Sequence, residues 1–180
     1  MRHVVLVALT VTYPLLVYFG LAHVEPRWLA CLLLAMALVR LGATRQPLRW
    51  TASAAAGVLA LAAWFTNAAL PLKLYPVAVN GALLLLFGAS LAHPPSAVER
   101  LARLTRPDLP EAGVVYTRKV TWVWCGFFLF NGTLAAASAL WGSEAQWALY
   151  NGLIAYLLMG ALFVGEWIVR RREMLTGAHV

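Results

Sequence analysis

The chain carries little charge. Only 12% of its 180 residues are Asp, Glu, Lys or Arg, whereas 62% are hydrophobic, and the mean hydropathy is +0.76. A soluble domain has about 25% charged residues, so this composition excludes an ordinary water-facing surface. The abundance of large apolar residues also excludes intrinsic disorder. The sequence therefore predicts a protein that resides in a membrane.

Residues that build metal and catalytic centres are scarce. The two cysteines, Cys31 and Cys125, both lie in apolar stretches, and the four histidines are isolated from one another. Neither a disulfide framework nor a zinc cluster is expected from such a pattern. The chain also lacks a nucleophile elbow, a phosphate-binding glycine loop and a zinc-protease helix motif. We therefore expect no metal and no cofactor, and the sequence favours a protein without enzymatic activity.

Long runs without any charge dominate what remains. Six stretches lack Asp, Glu, Lys and Arg, namely residues 3–24, 28–39, 50–72, 74–98, 120–143 and 145–165. Crossing the hydrocarbon core takes about 20 apolar residues of helix. Five stretches are long enough, and the second reaches residue 43 if Arg40 extends its guanidinium toward the headgroups. We predict an all-α polytopic integral membrane protein with six transmembrane helices, at about residues 3–23, 27–43, 50–70, 74–92, 119–141 and 146–169.

The connections between these helices are short, except for one loop. Short connections force neighbouring helices into antiparallel hairpins, so we expect a single membrane domain over residues 1–180. In the loop at residues 93–117, Ser96 and Glu99 have the spacing of a capping box. The helix that follows has leucines on one side and arginines on the other, as an interfacial amphipathic helix does. It is either a simple connector or a docking element, for which the candidate residues are Arg100, Arg103, Arg106, Arg118 and Lys119.

The basic residues predict the orientation. With six spans and a cytoplasmic amino terminus, only Arg27 and Lys73 of the 14 basic residues lie outside. Basic residues near short loops stay on the cytoplasmic side, so both termini are expected in the cytoplasm. The first span is interpreted as an uncleaved anchor. Because the basic residues are not gathered on one element, we expect membrane lipid and no nucleic acid as a partner.

Four asparagines lie inside the predicted spans: Asn67, Asn80, Asn131 and Asn151. Counting along each helix places all four in the outer half of the membrane. They are candidates for a polar pocket that binds a headgroup or a sugar-like group. The alternative is hydrogen bonding between helices, which contributes about 0.6 kcal/mol per contact.

Glu166 is the one acidic residue within an apolar stretch, and Arg170 follows one helical turn later. An i, i+4 ion pair between the two would neutralise the carboxylate at the cytoplasmic boundary. The functional alternative is a carboxylate that accepts a proton during transport.

Several motifs in the second half of the chain carry a resemblance. They are residues 116–128 (YTRKVTWVWCGFF), Asn131-Gly132, residues 147–156 (WALYNGLIAY), Gly165-Glu166-Trp167 and the following Arg170-Arg171-Arg172; upstream, Tyr75-Pro76, Asn80 and the loop from Pro94 to Arg106 also fit. This pattern resembles small multi-pass membrane proteins encoded in bacterial aryl polyene biosynthesis clusters. Members are often labelled ketosynthase, although this chain has no soluble thiolase-like domain. The topology and the aromatic and Asn-Gly spacing of the fifth span are more distantly similar to the intracellular septation protein A family.

The resemblance implies a location in the bacterial inner membrane and a role in a pathway that ends in an outer-membrane lipid. We expect an accessory protein for the assembly or passage of an aryl-polyene-type lipid product, without catalytic activity. Its partners would be membrane lipid and cytoplasmic biosynthetic enzymes of the polyene or fatty-acid type. The alternatives are a small lipid or proton-coupled transporter and, third, an intramembrane acyl or glycosyl transferase. The transferase is disfavoured because no paired acid and base share a helix face.

Overall fold

The computed structural model describes residues 13–21, 23–41 and 47–175, and the regular secondary structure in these ranges is helical. Helix α1 covers residues 13–21 of the described chain. The later elements are α2 (Pro26–Leu41), α3 (Pro47–Thr66), α4 (Leu70–Lys73), α5 (Tyr75–Ala92), α6 (Ala97–Arg103), α7 (Glu111–Trp141), α8 (Glu144–Leu149), a π-helical turn (Tyr150–Ile154) and α9 (Ala155–Leu175). The predicted all-α class is confirmed.

Among the residues that the structure describes, three helical segments are long and apolar enough to cross a membrane. They are Leu70–Ala92, Glu111–Trp141 and Glu144–Arg171, and they coincide with the fourth, fifth and sixth predicted spans. Helices α2 and α3 lie where the second and third spans were predicted, with shorter apolar stretches at Pro26–Ala35 and Ala56–Thr66. Residues 3–12 of the first predicted span lie outside the described residues. The number of membrane crossings therefore stays a prediction.

Helix α7 begins earlier than expected. The sequence predicts a span from residue 119, but the helix starts at Glu111, directly after Pro110. An acidic residue in the first turn is favourable because it faces the positive end of the helix dipole. Residues 111–117, predicted as the end of the loop, and Arg118 are thus helical residues. At 31 residues, α7 is about 46 Å long, which exceeds the roughly 30 Å hydrocarbon core.

The loop after α5 contains the predicted short helix. In α6, the Ser96 side chain accepts from the Glu99 backbone N–H and the Glu99 carboxylate accepts from the Ser96 backbone N–H, so the capping box is confirmed. The helix ends at Arg103, which is one turn before Pro107. A second capping box, unforeseen from the sequence, begins α8 at Ser143 and Gln146. Both short helices are therefore fixed at their amino termini by local hydrogen bonds.

The chain divides into two compact units. The first contains the described residues up to Ala82 together with Asn131–Tyr156, and the second contains Leu83–Phe130 together with the described residues after Tyr156. Each unit has its own packing and its own polar contacts, and each is described separately.

In the first unit, α2 and α3 form an antiparallel hairpin. The ring of Trp28, near the start of α2, packs edge to face against Trp64, near the end of α3, with the ring centroids 5.9 Å apart. Small side chains let the two backbones approach each other. The buried members of this core are Ala30 and Leu33 of α2 and Ala56, Ala60 and Ala63 of α3.

A proline explains how α1 is attached. Pro76 has no N–H to donate to the Leu72 carbonyl four residues earlier, so this carbonyl lacks its helical partner. The buried Tyr13 hydroxyl donates to it at 3.1 Å, and the Tyr13 ring packs against Tyr75 with centroids 4.7 Å apart. The neighbouring Lys73 carbonyl accepts from the indole N–H of the fully buried Trp147 at 3.0 Å. The interruption between α4 and α5 thus becomes an anchoring point for two aromatic side chains.

Asn67, one of the predicted site residues, has a structural position. Its φ of 49° lies in the left-handed region, where asparagine is tolerated better than most residues and where helices commonly end. Its side-chain Oδ1 accepts from the backbone N–H of Arg27 at 3.2 Å, in the first turn of α2. Asn67 therefore ends α3 and caps α2 at the same time.

We expect Asn67→Ala to lower the free energy of unfolding by about 1 to 2 kcal/mol, because it removes a cap and places alanine in a left-handed conformation. Asn67→Asp keeps the acceptor oxygen and should stay within about 0.5 kcal/mol of the native protein. Reversible unfolding in detergent micelles measures both values. Equal stability of the alanine variant and the native protein would contradict the capping role.

Candidate functional site

Two of the predicted asparagines meet inside the first unit. The Asn131 Nδ2 donates to Asn80 Oδ1 at 3.1 Å, and the Asn80 Nδ2 donates in turn to the Pro76 carbonyl at 2.9 Å. On the other side, the Tyr150 hydroxyl donates to Asn131 Oδ1 at 2.8 Å. These contacts form a continuous chain, Tyr150 to Asn131 to Asn80 to Pro76, which joins α7 to α5 and to the π-helical turn.

This series of hydrogen bonds is buried, and a glycine allows the helices that carry it to pack closely. Asn80 and Asn131 are both buried, at 8% and 4% exposure, so their amides need partners within the protein. A Cβ on Gly132 would lie 3.1 Å from the Cβ of Asn80, which shows how closely α7 approaches α5 there. The arrangement matches the hydrogen-bonding alternative for these two residues. Tyr150 was missed because no sequence spacing relates it to Asn131.

Asn151 occupies a different place. It is buried in the π-helical turn, and its Nδ2 donates to the Ser138 hydroxyl at 3.1 Å and to the Trp147 carbonyl at 2.9 Å. Single π turns widen a helix by one residue and are frequent at functional sites. Here the turn places an amide against a hydroxyl on α7. Of the four asparagines, only Asn80 and Asn131 contact each other through their side chains.

We expect Tyr150→Phe to cost about 0.6 kcal/mol of unfolding free energy, the average for one hydrogen bond between membrane helices. Asn131→Ala removes two such bonds and should cost about 1.2 kcal/mol or more. Unfolding in micelles and lipid binding should be measured on the same samples. Unchanged stability with weakened lipid binding would show instead that the amides form a ligand site.

In the second unit, two of the predicted docking arginines are engaged by their own loop. Arg100 donates from Nε to the Pro95 carbonyl at 2.8 Å and from Nη2 to the His93 carbonyl at 3.3 Å. Arg103 pairs with the buried Glu99, with Nη2 2.8 Å from Oε1, and donates to the Pro107 carbonyl at 3.0 Å. These arginines therefore fix the loop conformation.

The other predicted docking residues are left for partners. Arg106, Arg118 and Lys119 are exposed. None of the three forms an ion pair with a side chain that the structure describes. Their charges are therefore not neutralised by an acidic side chain of the described residues.

The predicted pair of Glu166 and Arg170 is present on α9. The Arg170 Nε lies 3.7 Å from Glu166 Oε1, and the Glu166 side chain is 22% exposed. A third member comes from α7, where the Tyr116 hydroxyl donates to the same Oε1 at 3.3 Å. Tyr116 was not predicted in this role, because the two residues are 50 positions apart and no local pattern connects them. The result is a small polar cluster that joins α7 to α9.

Two cavities of the second unit have members of this cluster in their lining. The larger, of about 530 Å³, is bounded by α5, α6, α7 and α9, and the smaller, of about 390 Å³, lies between α7 and α9. Glu166, Val120 and Trp124 line both. Both volumes fall within the range of about 300 to 1,000 Å³ that is usual for small-molecule sites.

The walls of the larger cavity are apolar. Trp124 packs against Phe163 with ring centroids 4.7 Å apart, and Phe87 packs against Phe128 at 5.1 Å. Leu101 of α6 also lines the cavity and is 67% exposed, so the cavity is reachable from outside the unit. An apolar groove with a polar cluster at its edge has the chemistry to hold an amphiphile, with its chain in the groove and its head at Glu166 and Arg170.

Neither a metal site nor a similar known protein gives further information about this site. Among the side chains that the structure describes, no three of His, Cys, Asp or Glu lie close enough together to bind a metal ion. Comparisons with protein-family models, with curated proteins and with solved structures found no match.

Proposed function

We propose that the chain crosses the bacterial inner membrane six times with both termini in the cytoplasm. Support comes from three helices of sufficient length and apolarity and from the antiparallel hairpin of α2 and α3. The distribution of basic residues is a second, independent support, because only Arg27 and Lys73 would lie outside.

The topology predicts the location of reporter fusions. Reporters joined after positions 72 and 143 should be active only in the periplasm, and reporters after positions 46 and 105 only in the cytoplasm. Alkaline phosphatase and green fluorescent protein fusions at the same positions give opposite signals and control for expression. Cytoplasmic activity at position 72 or 143 would overturn the six-span arrangement.

For the function, we propose that the protein is a non-catalytic accessory factor that holds the chain of an aryl-polyene-type lipid product in the larger cavity. The single observation that carries this proposal is the apolar groove of about 530 Å³, which has the Glu166–Arg170 pair at its edge. A long hydrocarbon or polyene chain gains about 25 cal/mol for each Å² of surface that it removes from water during transfer. Holding such a chain requires a fitting apolar wall and no catalytic group.

The basic surface supports the second part of the proposal, contact with soluble biosynthetic enzymes. Arg106 and Arg118 are exposed on the segments that flank the α6 loop and, among the described side chains, have no acidic partner. Acidic surfaces of cytoplasmic polyene or fatty-acid-type enzymes would be attracted to them. The loop would bring the enzyme next to the opening of the groove.

Lipid transport coupled to protons is a second candidate function. The observation that favours it is the position of Glu166, a partly buried carboxylate that lines both cavities. Transport would require Glu166 to change its protonation state, whereas holding a chain would not.

A complementation experiment tests the accessory function. In a strain that lacks the gene, product or intermediates should accumulate in the inner membrane, and the native gene should restore delivery to the outer membrane. Ala102→Phe fills the larger cavity with a bulky ring and should fail to restore delivery. Ala112→Phe is the matched control, because it makes the same change on an exposed position outside both cavities.

Two outcomes decide between the functions. Normal delivery without the gene, or full complementation by Ala102→Phe, would overturn the accessory role of the groove. Glu166→Gln should still support delivery if the protein only holds the chain; loss of delivery in this variant would favour proton-coupled transport instead.

A further inference from the structure

The two cavities of the second unit are placed as a pair. Val120 and Trp124 on α7 and Glu166 on α9 line both cavities. Trp124 is only 7% exposed and is held by ring contacts to Phe127, Phe128 and Phe163, with centroids 4.7 to 5.7 Å away. A side chain packed on several sides keeps its rotamer, so Trp124 is a fixed part of both linings.

A ligand with one chain fills only one of these cavities. The other cavity would stay without a ligand chain and forgo the favourable contacts that a second chain makes. A ligand with two chains joined at one head fills both cavities and places its head where they meet. Glu166 lines both cavities, and the head is therefore expected to lie near it.

The charged side chains that line the two cavities determine which head group is complementary to them. Glu166 and Arg170 neutralise each other, and Tyr116 donates to the same carboxylate. Lys119 lines the smaller cavity, and no carboxylate among the described side chains lies within 4.0 Å of its ammonium. The lining of the smaller cavity therefore includes one positive charge that no described carboxylate pairs with, and this charge is complementary to a phosphate group.

We propose that the two cavities form one bipartite site for a two-chain phospholipid, with one chain on each side of Trp124 and the phosphate at Lys119. The proposal rests on the lipid-holding function proposed above and specifies the class of lipid. The two chains account for both cavities, and the phosphate accounts for the free ammonium.

Glycines on α9 offer a matched pair of variants for the chain arrangement. Gly165 lines the smaller cavity, and a Cβ added there meets no atom within 4 Å. Gly160 lies on the same helix, also has open space around an added Cβ, and lines neither cavity. Leucine at position 165 should occupy the smaller cavity without a clash, whereas leucine at position 160 should leave both cavities unchanged.

The experiment is native mass spectrometry of the full chain in nonionic detergent, titrated with dipalmitoyl phosphatidylglycerol or with its single-chain lyso form. The native protein should bind one equivalent of the two-chain lipid more tightly than the lyso form. Gly165→Leu should weaken binding of the two-chain lipid about tenfold or more, because several methylene groups of one chain lose their place in the cavity. Its binding of the lyso form should change less than about twofold, and Gly160→Leu should resemble the native protein in both titrations.

The phosphate position is tested with Lys119→Gln and Arg118→Gln. Both remove one positive charge from neighbouring exposed positions, but only Lys119 lines a cavity. Lys119→Gln should weaken binding of dipalmitoyl phosphatidylglycerol about tenfold, as expected for a lost hydrogen bond to a charged group. It should leave dipalmitoylglycerol, which has no phosphate, unaffected. Arg118→Gln should change neither, and circular dichroism in the same detergent should verify that all variants fold.

The outcomes separate this inference from the proposed function. If the native protein binds the lyso form and the two-chain lipid equally well, or if Gly165→Leu and Gly160→Leu behave alike, the bipartite site is wrong while the lipid-holding function stands. Equal losses in Lys119→Gln and Arg118→Gln would indicate general attraction to anionic lipid and would overturn the phosphate position. If no lipid with either one or two chains binds to the native protein, both proposals fail.

Discussion

The structure depends on one constraint, which is that a polar group buried in an apolar chain must find its partner within that chain. A backbone carbonyl or side-chain amide left unpaired in such surroundings costs more than a hydrogen bond returns. The Tyr13 hydroxyl meets a carbonyl that Pro76 leaves without a donor. Asn131 serves both Tyr150 and Asn80, and Ser90 accepts from the backbone N–H of Ala97 at the start of α6. Each of these contacts joins two elements, so the need for partners also determines which elements pack together.

The same constraint makes the second unit informative about function. Its buried polar side chains have partners within the protein, so an unpaired charged group that lines a cavity is a candidate to bind a ligand. Thr121, though fully buried, donates to its own helix and accepts from Val98, and thereby ties α6 to α7. Lys119, two residues earlier on α7, has no such arrangement among the described side chains. It is exposed and lines the smaller cavity, so its ammonium is available to an anion bound there.

Much of the helical layout could be predicted from the sequence, because charge-free runs and capping residues act locally. The capping box at Ser96 and the ion pair of Glu166 with Arg170 depend on spacings of three and four residues, which a helix converts directly into contacts. The site itself could not be predicted in this way. The contact of Tyr116 with Glu166 and that of Tyr150 with Asn131 depend on how separate helices pack. The start of α7 at Glu111 was missed because the charged residues before the apolar run were assigned to the loop. The helix instead continues through them.

The contact between Tyr13 and the Leu72 carbonyl has a consequence for how the chain can change over evolutionary time. The Tyr13 hydroxyl occupies the place of the backbone N–H that Pro76 lacks, so the two residues complement each other. A residue with a backbone N–H at position 76 could donate to the Leu72 carbonyl within the helix. Position 13 would then no longer need a hydroxyl and could hold an apolar side chain. The two positions are far apart in the sequence, yet they are constrained as one, and descendants of this chain should keep the pair or lose it together.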